Sequence, residues 1–422
     1  MDFSELHGLG AKRETRKMER VEETVRILEA AGWYPPYHPV ASAGTEPTCV
    51  IEGRERIMLC SNNYLGLARH PRVVAAAHAT LDLHGTGPGG SRFLCGNVDV
   101  LCDLDRAIAA HVGAEDAITF PTGYMANLSV FKALLDPFLG IFPYRKGQAA
   151  VIADERNHAT VFDGIELTHA KRFLFRHNDL ADLEAKLVEA GEGRPKLVVT
   201  EGVYSLDSEV TPLADIAALA ERHGAMLMVD DAHGVGVMGA HGGGTLEHFG
   251  LEGRADLVMG SFDKALGGMG GYLAGRKDVV RYLRAACRAY LFSSALPAVM
   301  GGAMLESIAV CRSADGAARR ARLRANAAYL RSELSALGFE VLGDGALPVL
   351  PVVLGDEGVA IAFSGRLYDL GVYLPCFRWP AVPKNTARVR VTPMATHTDE
   401  HLARIVAAFA EAAEDVGVPR AA

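Results

Sequence analysis

No Cys-x-x-Cys pair occurs in this sequence, and its seven cysteines (Cys49, Cys60, Cys95, Cys102, Cys287, Cys311 and Cys376) are odd in number and widely spaced. That argues against a disulfide framework and against a structural zinc site, and a reducing, cytoplasmic compartment is the expected setting. No apolar run reaches the about 18 residues that a membrane-spanning helix needs. The best stretch, Ala133 to Tyr144, is broken by Pro137 and Pro143. A polybasic run is also missing, and 43 basic against 51 acidic residues give a net charge of −8. Nucleic acid or an anionic membrane therefore has no electrostatic support as a partner. The amino-terminal segment is charged from Lys12 to Arg26 and lacks the apolar centre of a signal peptide. Neither an internal repeat nor a low-complexity segment is found.

What is present is 422 residues, 49% hydrophobic and 22% charged. These are globular values that exclude wholesale disorder, and the length predicts two or three lobes around one large core. Met18, Val21, Val25 and Leu28 predict a first helix with one apolar stripe, ending at Gly32, and the prolines of Trp33-Tyr34-Pro35-Pro36-Tyr37 then force extended chain. Short apolar runs follow at Ala117–Phe120, Ala150–Ala153, Arg172–Phe175, Leu197–Thr200, Met226–Val229, Leu257–Gly260 and Tyr272–Ala274. Between them lie helical patterns at Tyr124–Leu135, His158–Leu167, Leu180–Glu189 and Pro212–His223. Near-continuous apolar strands alternating with helices predict an α/β domain whose mostly parallel sheet is covered on both faces. The tail predicts a smaller α+β lobe, with a long helix around Ala317–Leu337, strands near Pro348–Leu354 and Arg388–Val391, and a last helix after Thr398. The expected division is an amino-terminal segment over 1–55, a large domain over 56–298 and a carboxy-terminal domain over 299–422.

Ligands of open α/β sheets bind beyond the carboxyl ends of the strands. Here those ends carry Pro121-Thr122-Gly123-Tyr124, Asn157-His158, Glu201 with Tyr204-Ser205, Asp230-Asp231-Ala232-His233 and Ser261-Phe262-Asp263-Lys264. A lysine, an acid, two histidines and a helix start converging on one crevice make sense around pyridoxal phosphate. Its aldehyde needs an amine, its ring nitrogen needs a carboxylate to stay protonated, and its phosphate suits exposed amides at a helix N-terminus.

The Asp230-x-x-His233 spacing and the Ser-x-x-Lys264 after the next strand resemble fold-type-I pyridoxal-phosphate enzymes, specifically the α-oxoamine synthases. The resemblance runs from about Tyr34 to the last helix. It includes Ser61–Leu67, Gly85–Arg92, Thr122–Asn127, Asn157–Thr160, Glu201–Ser205, Phe292–Pro297 and Arg388-Val389-Arg390, in that order along the chain. Bacterial serine palmitoyltransferase-like members are the most similar. The resemblance implies that Lys264 bonds the cofactor and moves the substrate α-proton. It implies that Asp230 pairs with the ring nitrogen, that His233 and Ser205 address the ring hydroxyl, and that His158 stacks on the ring. Thr122, Gly123, Tyr124 and Ser261 would hold the phosphate, Glu201 would lie against the cofactor, and Ser294 would reach in from the partner subunit of a homodimer. Asn62, Ser91 and Arg390 would bind substrate, guanidinium geometry being suited to the amino-acid carboxylate.

Other readings of the same residues stand beside these. Asp230, Asp231 and His233 could ligate a divalent metal. His158 could cap a helix, and the Gly85–Gly90 cluster could be a plain turn. Arg388 and Arg390 share one strand face, so one of them could serve an ion pair. The chain also departs from the family pattern. Asp263 stands directly before the lysine in place of a hydroxyl residue, and Leu101 stands where a histidine is usual. The 136–148 connection is long and aromatic, and an arginine common near the family's N-terminus is missing around Pro35–Tyr37. The expected activity is decarboxylative condensation of a small α-amino acid, serine first, with a fatty acyl thioester carried by coenzyme A or an acyl carrier protein. Phe138, Phe142 and Tyr144 would wall the acyl entrance. Glycine or alanine as the amino acid, aminotransfer or lyase chemistry on the same cofactor, and a non-catalytic subunit are the alternatives; Lys264 argues against the last.

Overall fold

The computed structural model describes residues 18–30, 38–136, 145–343, 345 and 347–418. Among these, the largest sheet has seven strands. Their spatial order is Asp116–Phe120, Gly271–Gly275, Leu257–Ser261, Met226–Asp230, Lys196–Glu201, Ala150–Asp154 and Lys171–Phe175. The last five pair in parallel, and Gly271–Gly275 runs antiparallel to both its neighbours. All seven predicted apolar runs are therefore strands, each within a residue or two of its expected bounds. The helices Gly123–Leu135, Ala159–Glu166, Leu180–Ala190 and Leu213–Arg222 follow the predicted patterns. The strands are apolar throughout because both faces are covered. Val151, Leu197, Val199 and Met228 pack into one cluster, and Ile152, Val198, Leu227 and Val229 into the other.

Toward the carboxyl end, helix Ala314–Ala336 leads into a four-stranded antiparallel sheet containing Leu350–Gly355 and Ala387–Val391, and helix Asp399–Val416 closes the chain. Thr398 starts that last helix by accepting from the His401 amide while the His401 ring accepts from the Thr398 amide, a reciprocal cap. Strand Arg54–Met58 pairs with Thr48–Ile51 and also with Val372–Tyr373. Ile57 and Leu59 thus join Leu330, Val352, Phe363 and Phe409 in one buried cluster. The predicted first helix spans Glu19–Ala30 but buries none of its residues in this chain. Its predicted end at Gly32, the Trp33–Tyr37 segment and the aromatic residues of the 136–148 connection lie outside the described residues.

Candidate active site

A cavity of about 590 Å³ lies beyond the carboxyl ends of the parallel strands. The strand ends set its floor. Glu201 and Asp230 are register partners on adjacent strands, and Met259 pairs with Asp230 on the other side. Both carboxylates are buried. Asp230 accepts from the Asn127 amide at 3.0 Å and from the Ala232 backbone at 3.2 Å. Burial, with Asp230 next to it, holds the Glu201 carboxyl well above the usual carboxylate range. Lys264 lines the same cavity, and burial pulls its amine below the usual lysine value, against the opposing pull of Asp230, Asp263 and Glu201. A desolvated lysine of this kind has more of the neutral, nucleophilic form.

At one end of the cavity, helix Gly123–Leu135 begins. Thr122 caps it, its hydroxyl accepting from the Met125 amide at 3.2 Å. The helix start sits hard against strand Gly271–Gly275, since a Cβ on Gly271 would lie 2.4 Å from the Gly123 Cα. Only glycine allows that approach, which brings the helix-start amides to the cavity beside Ser261. The Ser261 hydroxyl donates to the exposed Asp263 carboxylate, so the residue that departs from the family pattern sits on this rim. Tyr124 is half exposed and donates its phenol to Asp163 at 2.6 Å.

His158 both caps helix Ala159–Glu166, accepting from the Thr160 amide, and lines the cavity. Burial lowers its pKa, as it lowers that of His233. His233 bonds the buried Tyr64 phenol through Nδ1 at 2.8 Å, which leaves Nε2 for the cavity. On the opposite wall, Arg390 donates to the Ser205 hydroxyl at 3.0 Å and to Asn62 Oδ1 at 2.9 Å, with its guanidinium 5.4 Å over the Phe377 ring. Its Nε is buried without a partner among the described residues. Arg388, two residues back, is an ion-pair residue: it holds Asp207 at 2.8 Å and the Leu206 carbonyl at 2.9 Å.

Asn62, Thr122, Gly123, Tyr124, His158, Glu201, Ser205, Asp230, His233, Ser261, Lys264 and Arg390 thus surround one cavity. Ser91 and Ser294 do not line it. Ser91 is buried, its hydroxyl without a partner among the described residues, and Ser294 is exposed. The possible metal set does not converge, because Asp231 turns away to accept from the Thr245 amide at 2.7 Å. Leu101 is fully buried on helix Asp99–His111 and packs against Gly301. The sequence alone does not distinguish Asn127, Tyr64 and Phe377; Asn127 and Tyr64 lie within the Thr122–Asn127 and Ser61–Leu67 motifs, and that position is their available signal.

The profile of the aminotransferase class I and II family matches residues 54–409. The chain belongs to this family. Within it, its relatives are α-oxoamine synthases. It is 40% identical to 8-amino-7-oxononanoate synthase of Thermosipho melanesiensis over 87% of this chain and 91% of that one. It is also 40% identical to 2-amino-3-ketobutyrate coenzyme A ligase of Escherichia coli, over 95% and 98%. Among solved structures, serine palmitoyltransferase from S. paucimobilis with bound PLP–myriocin superposes with a TM-score of 0.88 at 33% identity, covering 97% of this chain and all of that one. The fold is accordingly that of a fold-type-I transferase of the aminotransferase class I and II family, an α-oxoamine synthase in kind.

Proposed function

We propose that this α-oxoamine synthase condenses a small α-amino acid with an acyl thioester, releasing carbon dioxide and the thiol and leaving an α-amino ketone, with pyridoxal 5′-phosphate as cofactor. The observation that carries the reading is the placement of Lys264 and Asp230 on the floor of one cavity with the Arg390 guanidinium, its Nε unpaired, on the wall. The residues present suit the cofactor. Gly123 packs closely on Met259, which a Cβ would meet at 2.8 Å, and the helix start at Thr122, Gly123 and Tyr124 lines the cavity together with Ser261, where its amides would hold a phosphate. Asp230 offers a buried carboxylate to the ring nitrogen, with Glu201 beside it. His158 offers a ring to stack, and His233 with Ser205 faces the hydroxyl side. When bound, pyridoxal phosphate supplies an electron sink for charge developing at the amino acid's α-carbon. Lys264 is the group that takes the α-proton, and its lowered pKa suits that task. Asn62 and Arg390 receive the carboxylate.

Serine with a fatty acyl thioester, on coenzyme A or an acyl carrier protein, is the first substrate pair we put forward, supported by the likeness to serine palmitoyltransferase structures. Glycine or alanine is the second, favoured by the 40% identity to the two other synthases. A matrix of amino acids against acyl thioesters, scored by thiol and carbon dioxide release, decides between them. Turnover that ignores the thioester and yields no carbon dioxide would turn the reading to aminotransfer. Phe138, Phe142 and Tyr144 remain our candidates for the acyl entrance.

Replacing Arg390 with alanine is expected to raise the amino-acid KM about 10- to 100-fold, the size of one or two charge-assisted hydrogen bonds, with cofactor uptake unchanged. Steady-state kinetics beside a cofactor absorbance titration measure both; a normal KM would place the carboxylate elsewhere. We also propose a homodimer that shares its sites. Phe93, Leu94 and Phe292 are 73%, 70% and 75% exposed. Phe93 and Leu94 stand on a loop and Phe292 ends helix Arg288–Phe292, the two segments being tied by the Ala295 amide to the Gly90 carbonyl, an apolar grouping that a partner would cover. Ser294 belongs to the second of these segments and would then serve the partner's phosphate. Light scattering should give twice the 45.0 kDa chain mass; a fully active monomer would count against the shared site.

A further inference from the structure

The turn between strands Val203–Tyr204 and Glu209–Val210 carries Ser205, the acceptor that holds Arg390. This hairpin is held at its tip by Arg388 and Arg156 on Asp207 and by Ser208 on the Val349 carbonyl, and at its second strand by His177, which follows strand Lys171–Phe175 and has a buried side chain. Its Nδ1 lies 3.0 and 3.1 Å from the two Asp154 oxygens, and its Nε2 lies 2.8 Å from Glu209 Oε2. Ionised carboxylates only accept hydrogen bonds, and a neutral imidazole has a single N–H. Two carboxylates on the two ring nitrogens therefore call for the imidazolium. Asp154 is fully buried and also collects the backbone amides of Arg156 at 2.8 Å and Asn178 at 3.0 Å; a buried charge of this sort needs a cationic partner.

We propose that His177 is a positioning residue for amino-acid recognition: as an imidazolium it clasps Glu209, fixes the 203–210 hairpin, and through Ser205 holds Arg390 in its receiving geometry. The inference rests on Arg390 being the carboxylate receptor. The Tyr204 ring meets the imidazole edge-on at 4.4 Å and is itself anchored, its phenol donating to Asn157 at 3.0 Å. The charged groups facing His177 are Asp154 and Glu155 at the end of the neighbouring strand, Arg156 after it, and Glu209 on the hairpin. Burial disfavours the cation, but Asp154 and Glu209 outweigh it and raise the pKa above the usual histidine value. The charged form is the one that clasps. The clasp is therefore complete at low pH and is lost as pH rises through that raised value.

The test compares wild type, His177→Gln and Glu209→Gln in amino-acid KM and kcat from pH about 6 to 9, together with amide hydrogen exchange over residues 203–210 without substrate. In wild type the amino-acid KM should rise on the alkaline side. In both variants it should be raised about tenfold at every pH, the effect of one lost charge-assisted hydrogen bond, with the change confined to KM and the alkaline inflection gone. Exchange in the hairpin should quicken in the variants while strand Lys171–Phe175 keeps its protection. Profiles that overlay wild type, or quickened exchange with an unmoved KM, overturn the positioning role. Quickened exchange in an enzyme that condenses no amino acid would uphold the clasp and sink the proposed reaction instead. Glu209 is partly exposed, so its variant keeps the test alive if His177→Gln does not fold.

Discussion

Lys264→Ala is expected to end turnover and to end covalent attachment of the cofactor. After borohydride treatment, wild type should carry the cofactor fixed to the peptide containing Lys264, and the variant should carry none. In the proposed reaction the amine would be the nucleophile toward an aldehyde and also the base that moves the α-proton, and general acid–base action alone is worth about 10²–10⁴-fold. Among the residues lining the cavity, no other lysine is present, so the cavity offers no substitute amine. The variant should still take up cofactor non-covalently, because the helix-start amides, Ser261, Asp230 and His158 are untouched. Mass spectrometry of the reduced protein separates the two outcomes. Cofactor still fixed to the variant would assign the chemistry to a different lysine.

Asp230→Asn is expected to lower kcat by about 10- to 1,000-fold, since an opposite charge at close range shifts a partner's pKa by about one to three units and each unit is a tenfold change in that equilibrium. The geometry sharpens the expectation. Asp230 already accepts from the Asn127 amide and from the Ala232 backbone. An asparagine there would set its own amide group against one of these donors or turn it toward the cavity, and either way the acceptor offered to the ring nitrogen is weakened. Asp230→Glu, which restores the charge but displaces it by a methylene, should recover part of the rate. A rate for Asp230→Asn equal to wild type would hand the role to Glu201, the register neighbour.

The sheet was legible because strands buried on both faces carry unbroken apolar runs, a pattern that survives without any tertiary knowledge. Gly123–Leu135 and Leu180–Ala190 were legible from helical periodicity. Helices Pro71–His84 and Ala298–Arg312 are not legible from periodicity. They pack against each other with Gly302 at the contact, where a Cβ would lie 1.9 Å from the Thr80 hydroxyl, while Gly301 makes the close approach to Leu101 of helix Asp99–His111. Such a face lacks the large apolar side chains from which a helical stripe is read. The site's strand-end residues were readable because position after a strand is itself the signal. The roles of neighbours were less so: that Arg388 is spent on Asp207 while Arg390 faces the cavity depends on where the 203–210 hairpin stands, and strand alternation gives both residues the same face. The Asp136–Gln148 connection is long and aromatic in sequence, and the described residues contain only its ends.

Asn62 and Arg390 meet across a separation of 328 residues. The cost of closing so long a stretch grows only slowly, by about 0.6 kcal/mol for each doubling of length, so length is not the obstacle; sequence of assembly is. Every cavity residue from Thr122 to Lys264 sits on or beside one continuous sheet, and that half can take shape from a single uninterrupted stretch of chain. The other half exists only once the strand bearing Arg390 has docked and the segment before the sheet has folded back over it. On the proposed roles, grip on the amino acid is therefore a property of the finished chain, whereas the cup for the cofactor is a property of its middle.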